Sequence, residues 1–320
     1  MSSNDTARAV PTVGLDIGGT KVLGVLLDAD GNVLREQRQL SPHAGVDALV
    51  ATAAAIVEEL AEPGIPVGVG AAGLVNHEGR VLYSPNLPTV RDAPLSDAMR
   101  NATEHPLVVD NDANVAALGE VAYGAAKGVQ HALMVTLGTG IGGGMLLNGQ
   151  LYRGAHGFAA EIGHMTVERG GPLCACGERG HWEAIASGSA LGRMARELVE
   201  EGAGARILSA AGGSIEAITG VHVEAAVRAG DVDARALMAR YADNVSLGLA
   251  ALANVLDPEM IVIAGGMVEL GPMLFEPLHA SFLRHVEGAA FRPKIPIVPA
   301  LLGERAGAVG AAVLARELLT

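Results

Sequence analysis

Apolar positions in the first part of the chain follow the periods of strands and helices in turn. Residues 12–28 contain two strands rich in Val and Leu around a tight glycine turn at 16–20, which predicts a hairpin. Residues 33–40 alternate as a third strand, residues 46–61 have helical spacing, and residues 66–72 predict a buried strand. This mixture predicts an α/β fold.

The same order of elements returns in the middle of the chain. Residues 131–137 predict an apolar strand, residues 138–144 a second glycine turn, and residues 145–147 another strand. Two glycine hairpins in one chain suggest an internal duplication, in which two related α/β halves face each other across a cleft.

A polar quartet at 111–114 lies between the two hairpins. It follows a predicted strand at 106–110 and opens an Ala-rich helix to about residue 123, so its side chains lie at a strand end and a helix start. After residue 187 the pattern is mainly helical. It includes a long helix at about 233–257, a strand at 260–264, and a last helix at about 307–319.

The chain contains no linker rich in Pro or Ser, so we predict a hinge near Ala122 rather than a tether. Residues 1–122 are predicted to form an N-terminal α/β domain and residues 123–304 a C-terminal α/β domain. The last helix, at about 305–320, is predicted to pack back on the first domain.

Composition and charge exclude several classes of function. The chain has 320 residues, with 22 Lys and Arg against 35 Asp and Glu, and a formal net charge of −13. We expect no nucleic-acid partner, because phosphate contacts need clustered cations. Residues 1–11 are polar and no later run reaches about 18 apolar residues, so we expect a cytoplasmic protein without a membrane partner.

The two glycine turns offer backbone N–H groups to an anion. In the first, Asp16 precedes two glycines and Thr20, so the turn can surround a phosphate while the carboxylate places Mg²⁺ or its water shell. An ordinary hairpin capped by Asp is the alternative. The second turn, which contains Thr139, weighs against that alternative, and neither turn has the P-loop pattern.

Asp112 follows Asn111 at the predicted helix start. A carboxylate there can act as the general base that takes a proton from an attacking hydroxyl in a phosphoryl transfer. A plain helix cap is the alternative role, and the two roles are compatible.

The two cysteines belong to a group of metal-ligand residues. His164, Cys174, Cys176 and His181 lie close together in sequence and predict a closed tetrahedral Zn²⁺ site of the Cys₂His₂ type. A reducing compartment argues against a disulfide. The role of such a site is structural, because no position is left open for water.

Glu161 and Glu183 bracket this group. Two carboxylates beside a histidine suit a polyhydroxylated substrate, because each accepts hydrogen bonds from adjacent hydroxyls. A pair of solvated surface carboxylates is the alternative.

Taken in order, these motifs resemble the sugar kinases of the ROK family, over the whole chain apart from about its first ten residues. Singly most of the motifs are weak, but their order and spacing are specific. The matching segments are residues 16–20, Asn86 within Ser84-Pro85-Asn86-Leu87-Pro88, residues 111–114, the glycine run 137–144, Glu161-x-x-His164, Cys174-x-Cys176-Gly177 and Trp182-Glu183.

The resemblance implies two ribonuclease-H-like domains of the actin, hexokinase and Hsp70 type, facing a central cleft. It implies that Asp112 activates the sugar hydroxyl and that His164 both ligates zinc and contacts the sugar through the other side of its ring. The implied sugar contacts are Asn86, Asn111, Asp112, Glu161, His164 and Glu183.

The leading hypothesis is then an ATP-dependent hexose kinase that phosphorylates the 6-hydroxyl of glucose, the reaction of a glucokinase. Asp16 is expected near Mg²⁺. The expected phosphate and nucleotide contacts are Asp16, Gly18, Gly19, Thr20, Lys21, Thr139, Gly140, Gly265 and Gly266.

His181 departs from the family pattern, in which a third cysteine is typical at this position. Imidazole is also a zinc ligand, so the expected set becomes Cys₂His₂ in place of Cys₃His.

Other members of the family remain alternatives: a kinase of N-acetylhexosamines or fructose, polyphosphate as the donor, and a non-catalytic sugar-sensing protein. A repressor needs a helix-turn-helix before the kinase-like part, and Asp16 comes too early for one. The family also implies a homodimer or homotetramer.

Overall fold

The computed structural model describes residues 10–320. The expectation of a cytoplasmic protein used residues 1–11, and most of these lie outside the described range. Within this range no helix combines the length and apolar character that crossing a bilayer requires. The strands are β1 (Thr12–Ile17), β2 (Lys21–Leu27), β3 (Val33–Leu40), β4 (Val67–Ala71), β5 (Leu74–Val75), β6 (Val81–Tyr83), β7 (Arg91–Ala93), β8 (Leu107–Asn111), β9 (Ala132–Leu137), β10 (Ile141–Leu147), β11 (Gln150–Leu151), β12 (Met260–Ala264) and β13 (Ile297–Pro299).

Helices connect and follow these strands. They are α1 (Val46–Leu60), α2 (Leu95–Ala102), α3 (Asp112–Tyr123), α4 (Trp182–Ala186), α5 (Gly188–Glu200), α6 (Ala205–Ala210), α7 (Gly220–Arg228), α8 (Val232–Leu256), α9 (Pro272–His285) and α10 (Ala306–Leu319). Short 3₁₀ turns lie at Ile162–His164, Gly266–Leu270 and Gly303–Arg305.

Two five-stranded sheets have corresponding strand orders. The first has the order β3-β2-β1-β4-β8 and the second the order β11-β10-β9-β12-β13. In the first sheet β1 is antiparallel to β2 and parallel to β4, and in the second β12 is parallel to β13. The two orders correspond strand by strand, as the repeated hairpin pattern predicts, and the α/β class is confirmed. The short strands β5, β6 and β7 form a third sheet.

Contacts between residues divide the chain into two units. The first runs to Ala132 and includes Gly144–Ala160 and Leu301–Thr320, and the second comprises Leu133–Gly143 and Glu161–Ala300. The last helix α10 therefore belongs to the first unit. The predicted domain limits at residues 122 and 304 stay a prediction.

In the first unit, helices cover both faces of the first sheet. Successive side chains of β1 point to opposite faces, so Leu15 and Gly14 face different helices. On the Leu15 side, α1 buries an apolar stripe at helical spacing that includes Ile56 and Leu60, as its sequence pattern predicts. On the Gly14 side lies α10, whose buried stretch is made of Ala, Gly, Val and Leu.

Helix α10 approaches the sheet at backbone distance. A Cβ at Gly14 in β1 would overlap the carbonyl oxygen of Ala308, and a Cβ at Gly68 in β4 would overlap that of Ala311. On its other side α10 meets α3, where a Cβ at Gly310 would overlap the carbonyl oxygen of Val115. Glycine is therefore required at these contacts by space, since none of the three has a positive φ.

The second glycine turn is shorter than its sequence predicts. Strand β10 begins at Ile141 instead of residue 145, so only residues 138–140 form the turn. The glycines 142–144 belong to the strand, where Gly142 N donates to Thr136 Oγ1 (3.0 Å) and a Cβ at Gly144 would lie 2.6 Å from Ala117 Cβ. A glycine run carries no alternation of side chains, so its sequence gave no strand signal.

Substituting Gly14 with Ala is expected to destabilise the protein by about 2–3 kcal/mol, because the new methyl group must displace the backbone of α10. Gly266→Ala is the control, since no atom lies within 4 Å of a Cβ there and its φ is not positive. The free energy of unfolding is measured in urea for both variants. Equal stability of the two variants would contradict the close packing of α10.

Candidate functional site

The first glycine turn joins β1 to β2 and is fastened to neighbouring backbone. Gly18 N donates to Lys21 O (3.0 Å), and Ser41 Oγ donates to Gly18 O (2.5 Å). A Cβ at Gly19 would lie 2.5 Å from Asn86 O, so the turn passes against Asn86 with no room for a side chain. Within the first unit, the structure thus brings together the predicted phosphate turn and a predicted sugar contact.

Lys21 forms an ion pair that the sequence did not predict. Its Nζ lies 2.7 Å from Glu304 Oε2, and Arg38 Nη2 lies 3.0 Å from the same oxygen. Both cations and Glu304 are partly exposed, so these ion pairs contribute little to stability. The Lys21 ammonium group has three donors, so it can contact a phosphate as well as Glu304.

Asp16 is held close to the first turn of α10. Burial, together with the neighbouring Asp112 carboxylate, raises the pKa of Asp16 from 3.8 to about 7, against the opposing charge of Lys21. The carboxylate has room only because residue 307 is glycine, since a Cβ there would lie 2.6 Å from Asp16 Cγ. Mg²⁺ prefers carboxylate oxygen ligands, and a divalent cation offsets repulsion between carboxylates, so Asp16 fits the predicted metal role.

Asp112 is the first residue of α3, and the helix cap is its neighbour Asn111. Asn111 Oδ1 accepts from Asn114 N (3.0 Å), and Asn111 Nδ2 donates to Gly73 O (2.9 Å). Burial raises the pKa of Asp112, although a hydrogen bond from Ala113 N (2.9 Å) acts in the opposite direction. The cap therefore does not occupy Asp112, and its carboxylate remains a candidate base.

Asp110 is a structural residue of the site that the sequence analysis missed. Its buried carboxylate accepts from Asn111 N (2.7 Å) and Asn114 Nδ2 (3.0 Å), and its second oxygen forms an ion pair with Arg153 Nε. It therefore holds the backbone of Asn111 before Asp112 and the side chain of Asn114 after it. The signal available in the sequence was its position directly before the polar quartet, but nothing local pointed to Arg153.

In the second unit, the glycine turn 138–140 is held by residues around the start of α5. Gly188 N donates to Gly138 O (2.7 Å), and Ser189 Oγ donates to Thr139 O (2.8 Å). Gly265 follows β12 with φ 87°, and a Cβ there would lie 2.4 Å from the carbonyl oxygen of Leu137. The structure thus brings the predicted nucleotide contact Gly265 beside the strand end that leads into the turn.

The four predicted zinc ligands come together. The ligand atoms of His164, Cys174, Cys176 and His181 all lie within 4.8 Å of one another. Cys174 Sγ is 3.8 Å from His164 Nδ1, and Cys176 Sγ is 3.2 Å from His181 Nδ1. Two thiols and two imidazoles at these separations fit a tetrahedral Zn²⁺ ion.

Local turns shape the segment that carries these ligands. Gly177 and Gly180 have φ values of 99° and 75°, a left-handed conformation that favours glycine in a tight loop. Gly177 N donates to Cys174 O (3.0 Å), and Cys174 N donates to Glu178 O (2.8 Å). The Nδ1 atoms of both histidines face the cysteines, which leaves Nε2 of exposed His164 on the other side of its ring.

Glu183 lies in α4 and is engaged on both sides, whereas Glu161 is exposed just before the 3₁₀ turn that ends at His164. Glu183 Oε2 accepts from Ile141 N (2.8 Å), and Glu183 Oε1 lies 3.5 Å from Cys174 Sγ. Glu183 is therefore not a solvated surface carboxylate. Nothing in the sequence indicated its contact with Ile141.

Comparison with known proteins covers nearly the whole chain. A family model described as "ROK family" matches residues 12–318. A glucokinase of Streptomyces coelicolor is 39% identical over an alignment of 317 residues that covers 96% of this chain and 98% of that protein. A glucokinase of Thermotoga maritima is 35% identical over 309 residues, 95% of this chain and 97% of that protein.

A solved structure agrees in fold. The ROK family glucokinase of Streptomyces griseus, in complex with glucose and AMPPNP, has a TM-score of 0.84 and 38% sequence identity. The alignment covers 96% of this chain and 99% of that one. The predicted fold of the actin, hexokinase and Hsp70 type is confirmed.

We expect the protein to bind one equivalent of zinc. Cys176→Ser should weaken zinc binding by at least about 100-fold, because it removes one of four ligands. His181→Cys should retain tight binding, since thiolate is also a zinc ligand. Zinc content is measured by elemental analysis and affinity by chelator competition. Unchanged affinity in Cys176→Ser would show that the cluster is not the zinc site.

The raised pKa of Asp16 predicts a pH-dependent cost in stability. Between pH 3.8 and about 7 the folded state holds a proton that the unfolded state has released, so stability falls as the pH rises through this range. Asp16→Asn removes this cost. Both proteins are compared without Mg²⁺. The variant's gain in free energy of unfolding over the wild type should be about 2–3 kcal/mol larger at pH 8 than at pH 5.

Thermal and urea unfolding at the two pH values checks this expectation. Asp30→Asn, in an exposed surface turn, is the control for the loss of one negative charge. A stability gain in Asp16→Asn that is the same at pH 5 and pH 8 would be inconsistent with a buried carboxyl of raised pKa.

Proposed function

The chain belongs to the ROK family, and we propose that it is an ATP-dependent hexose kinase that phosphorylates the 6-hydroxyl of glucose. The observation that supports this most directly is the partly buried carboxylate of Asp112, which begins α3 between Asn111 and Asn114, two residues that both donate to Asp110. A buried carboxylate of raised pKa is a stronger base than a solvated one. The sequence identity of 39% and 35% to two glucokinases, over nearly the whole chain, favours glucose as the substrate.

The proposed reaction is a single phosphoryl transfer. Asp112 accepts the proton of the 6-hydroxyl, and the sugar oxygen forms a bond to the γ-phosphorus of ATP. The bond from that phosphorus to the β–γ bridging oxygen breaks, and ADP leaves. Bound Mg²⁺ supplies neutralisation of the phosphate charge, and Asp16 is its proposed protein contact.

We assign the sugar and nucleotide contacts residue by residue. The proposed sugar contacts besides Asp112 are Asn86, Asn111, Glu161, His164 and Glu183. Each carboxylate oxygen has two acceptor sites, so Glu183 can accept a hydroxyl in addition to Ile141 N. The proposed nucleotide contacts are Gly18, Gly19, Thr20, Lys21, Thr139, Gly140, Gly265 and Gly266.

Zinc in the Cys/His cluster has a structural role in this proposal. By holding Nδ1 of His164, the cluster fixes the ring so that Nε2 is presented to the sugar. A cytoplasmic location and an assembly of two or four copies belong to the same proposal, and both rest on the resemblance and the composition.

Initial rates of phosphorylation test the function. Glucose, mannose, fructose, N-acetylglucosamine and N-acetylmannosamine are compared as acceptors, with Mg-ATP or polyphosphate as donor and with the zinc content of the sample recorded. A preference for glucose with ATP is the expected result. A preference for an N-acetylhexosamine or fructose would show that glucose is not the preferred substrate. No turnover of any of these sugars in a folded, zinc-loaded sample would refute the proposed kinase activity.

Asp112→Asn is expected to lower kcat by about 10²–10⁴-fold, because Asn cannot accept the proton. The amide keeps the size of the side chain and one acceptor oxygen, so the Kd for glucose should change by no more than a few-fold. Steady-state rates and calorimetric titration of glucose measure the two effects. A variant with near wild-type kcat would remove Asp112 from the role of base.

A further inference from the structure

Glu183 contacts two features that the proposed function treats separately. Its Oε2 accepts from Ile141 N (2.8 Å), directly after the glycine turn 138–140, and its Oε1 lies 3.5 Å from the Sγ of the cluster residue Cys174. Ile141 and Glu183 are 42 positions apart in sequence. One carboxylate therefore spans from the Cys/His cluster to the proposed phosphate turn.

A second contact ties the same backbone to the cluster. Gly163 directly precedes the ligand His164, and a Cβ at Gly163 would overlap the carbonyl oxygen of Ile141. On the turn itself, a Cβ at Gly140 would overlap Glu183 Oε2. The peptide groups of Ile141 thus pack closely against Gly163 and Glu183.

Other attachments of the turn come from the start of α5. Gly188 N and Ser189 Oγ donate to the carbonyl oxygens of Gly138 and Thr139. In these bonds the backbone carbonyl groups of the turn are acceptors. Glu183 instead accepts from a backbone N–H group, that of Ile141, and N–H groups are the backbone groups that bind phosphate. Among these attachments, the Glu183 bond is the one made by a side chain that also touches a cluster ligand.

We infer that Glu183 is a positioning residue that links the Cys/His cluster to the glycine turn, so that zinc loading and nucleotide affinity are coupled. Tetrahedral ligation restrains His164, whose neighbour Gly163 packs against Ile141. It also restrains His181, two residues before Glu183, whose carboxylate accepts from Ile141 N. A turn already ordered by the metal loses less entropy when phosphate binds. The inference rests on the proposed function only in taking the turn as a nucleotide site.

Thermodynamic linkage provides the test. If zinc tightens nucleotide binding by some factor, the nucleotide must tighten zinc binding by the same factor. Zinc affinity is measured by chelator competition with and without Mg-AMPPNP, and Mg-AMPPNP affinity by calorimetry with and without zinc. Both measurements are made without sugar, so a contact between Glu183 and sugar cannot affect either affinity. The wild type is expected to show a reciprocal factor of about tenfold.

Three variants separate the link from other effects. Glu183→Ala removes the acceptor and should reduce the factor to about one. Glu183→Gln keeps an oxygen that can accept from Ile141 N, so it should retain most of the coupling. Glu178→Ala is the matched control, because Glu178 is an exposed acid of the same loop whose backbone carbonyl pairs with Cys174 N. It should keep the wild-type factor.

A factor of one in the wild type, or an unchanged factor in Glu183→Ala, would overturn the inference. Amide hydrogen exchange at Ile141 gives a second readout in the wild type alone, in case Glu183→Ala does not fold. Removing zinc should speed exchange at Ile141 by about tenfold or more, and equal rates would also overturn the link. A chain that binds no nucleotide but shows zinc-dependent exchange at Ile141 would refute the proposed function and support the link.

Discussion

Helix α10 can lie against the first sheet and α3 only because glycine stands at the points of closest approach. Gly14 and Gly68 admit its backbone to β1 and β4, and Gly310 admits the backbone of α3. Contacts of this kind leave no flexible side chain to absorb a change in spacing. Strand β1 carries Asp16 and helix α3 begins with Asp112, so the same helix fixes the elements that present both carboxylates.

This packing also sets the electrostatics of the first unit. Gly307 lies in the first turn of α10 and touches the carboxylate of Asp16, whose pKa is raised by burial and by Asp112. Lys21, the cation that opposes this shift, is already shared with Glu304. The site therefore holds two acidic groups at a cost in stability, and a bound cation would recover part of that cost. A site built for a charged ligand is expected to show such a cost in the ligand-free state.

The sequence predicted those parts of the molecule that depend on local pattern. Strands β3 and β12 have the predicted bounds, and the four cluster residues were found by their types and spacing. The missed features depend on residues distant in the chain. Arg153 pairs with Asp110 across 43 positions, and neither residue type specifies that partner. The same holds for Glu183 and Ile141, where the partner is a backbone N–H group that every residue except proline carries.

The histidine at position 181 changes the charge of the cluster as well as its ligand set. Zn²⁺ with two thiolates and two neutral imidazoles has no net charge, whereas the third cysteine typical of the family would leave one negative charge. That charge would lie beside the carboxylate of Glu183, which already contacts Cys174. It would also oppose anion binding at the glycine turn to which Glu183 is bonded. As the fourth ligand of a bound zinc ion, His181 would complete the metal set without adding repulsion beside Glu183.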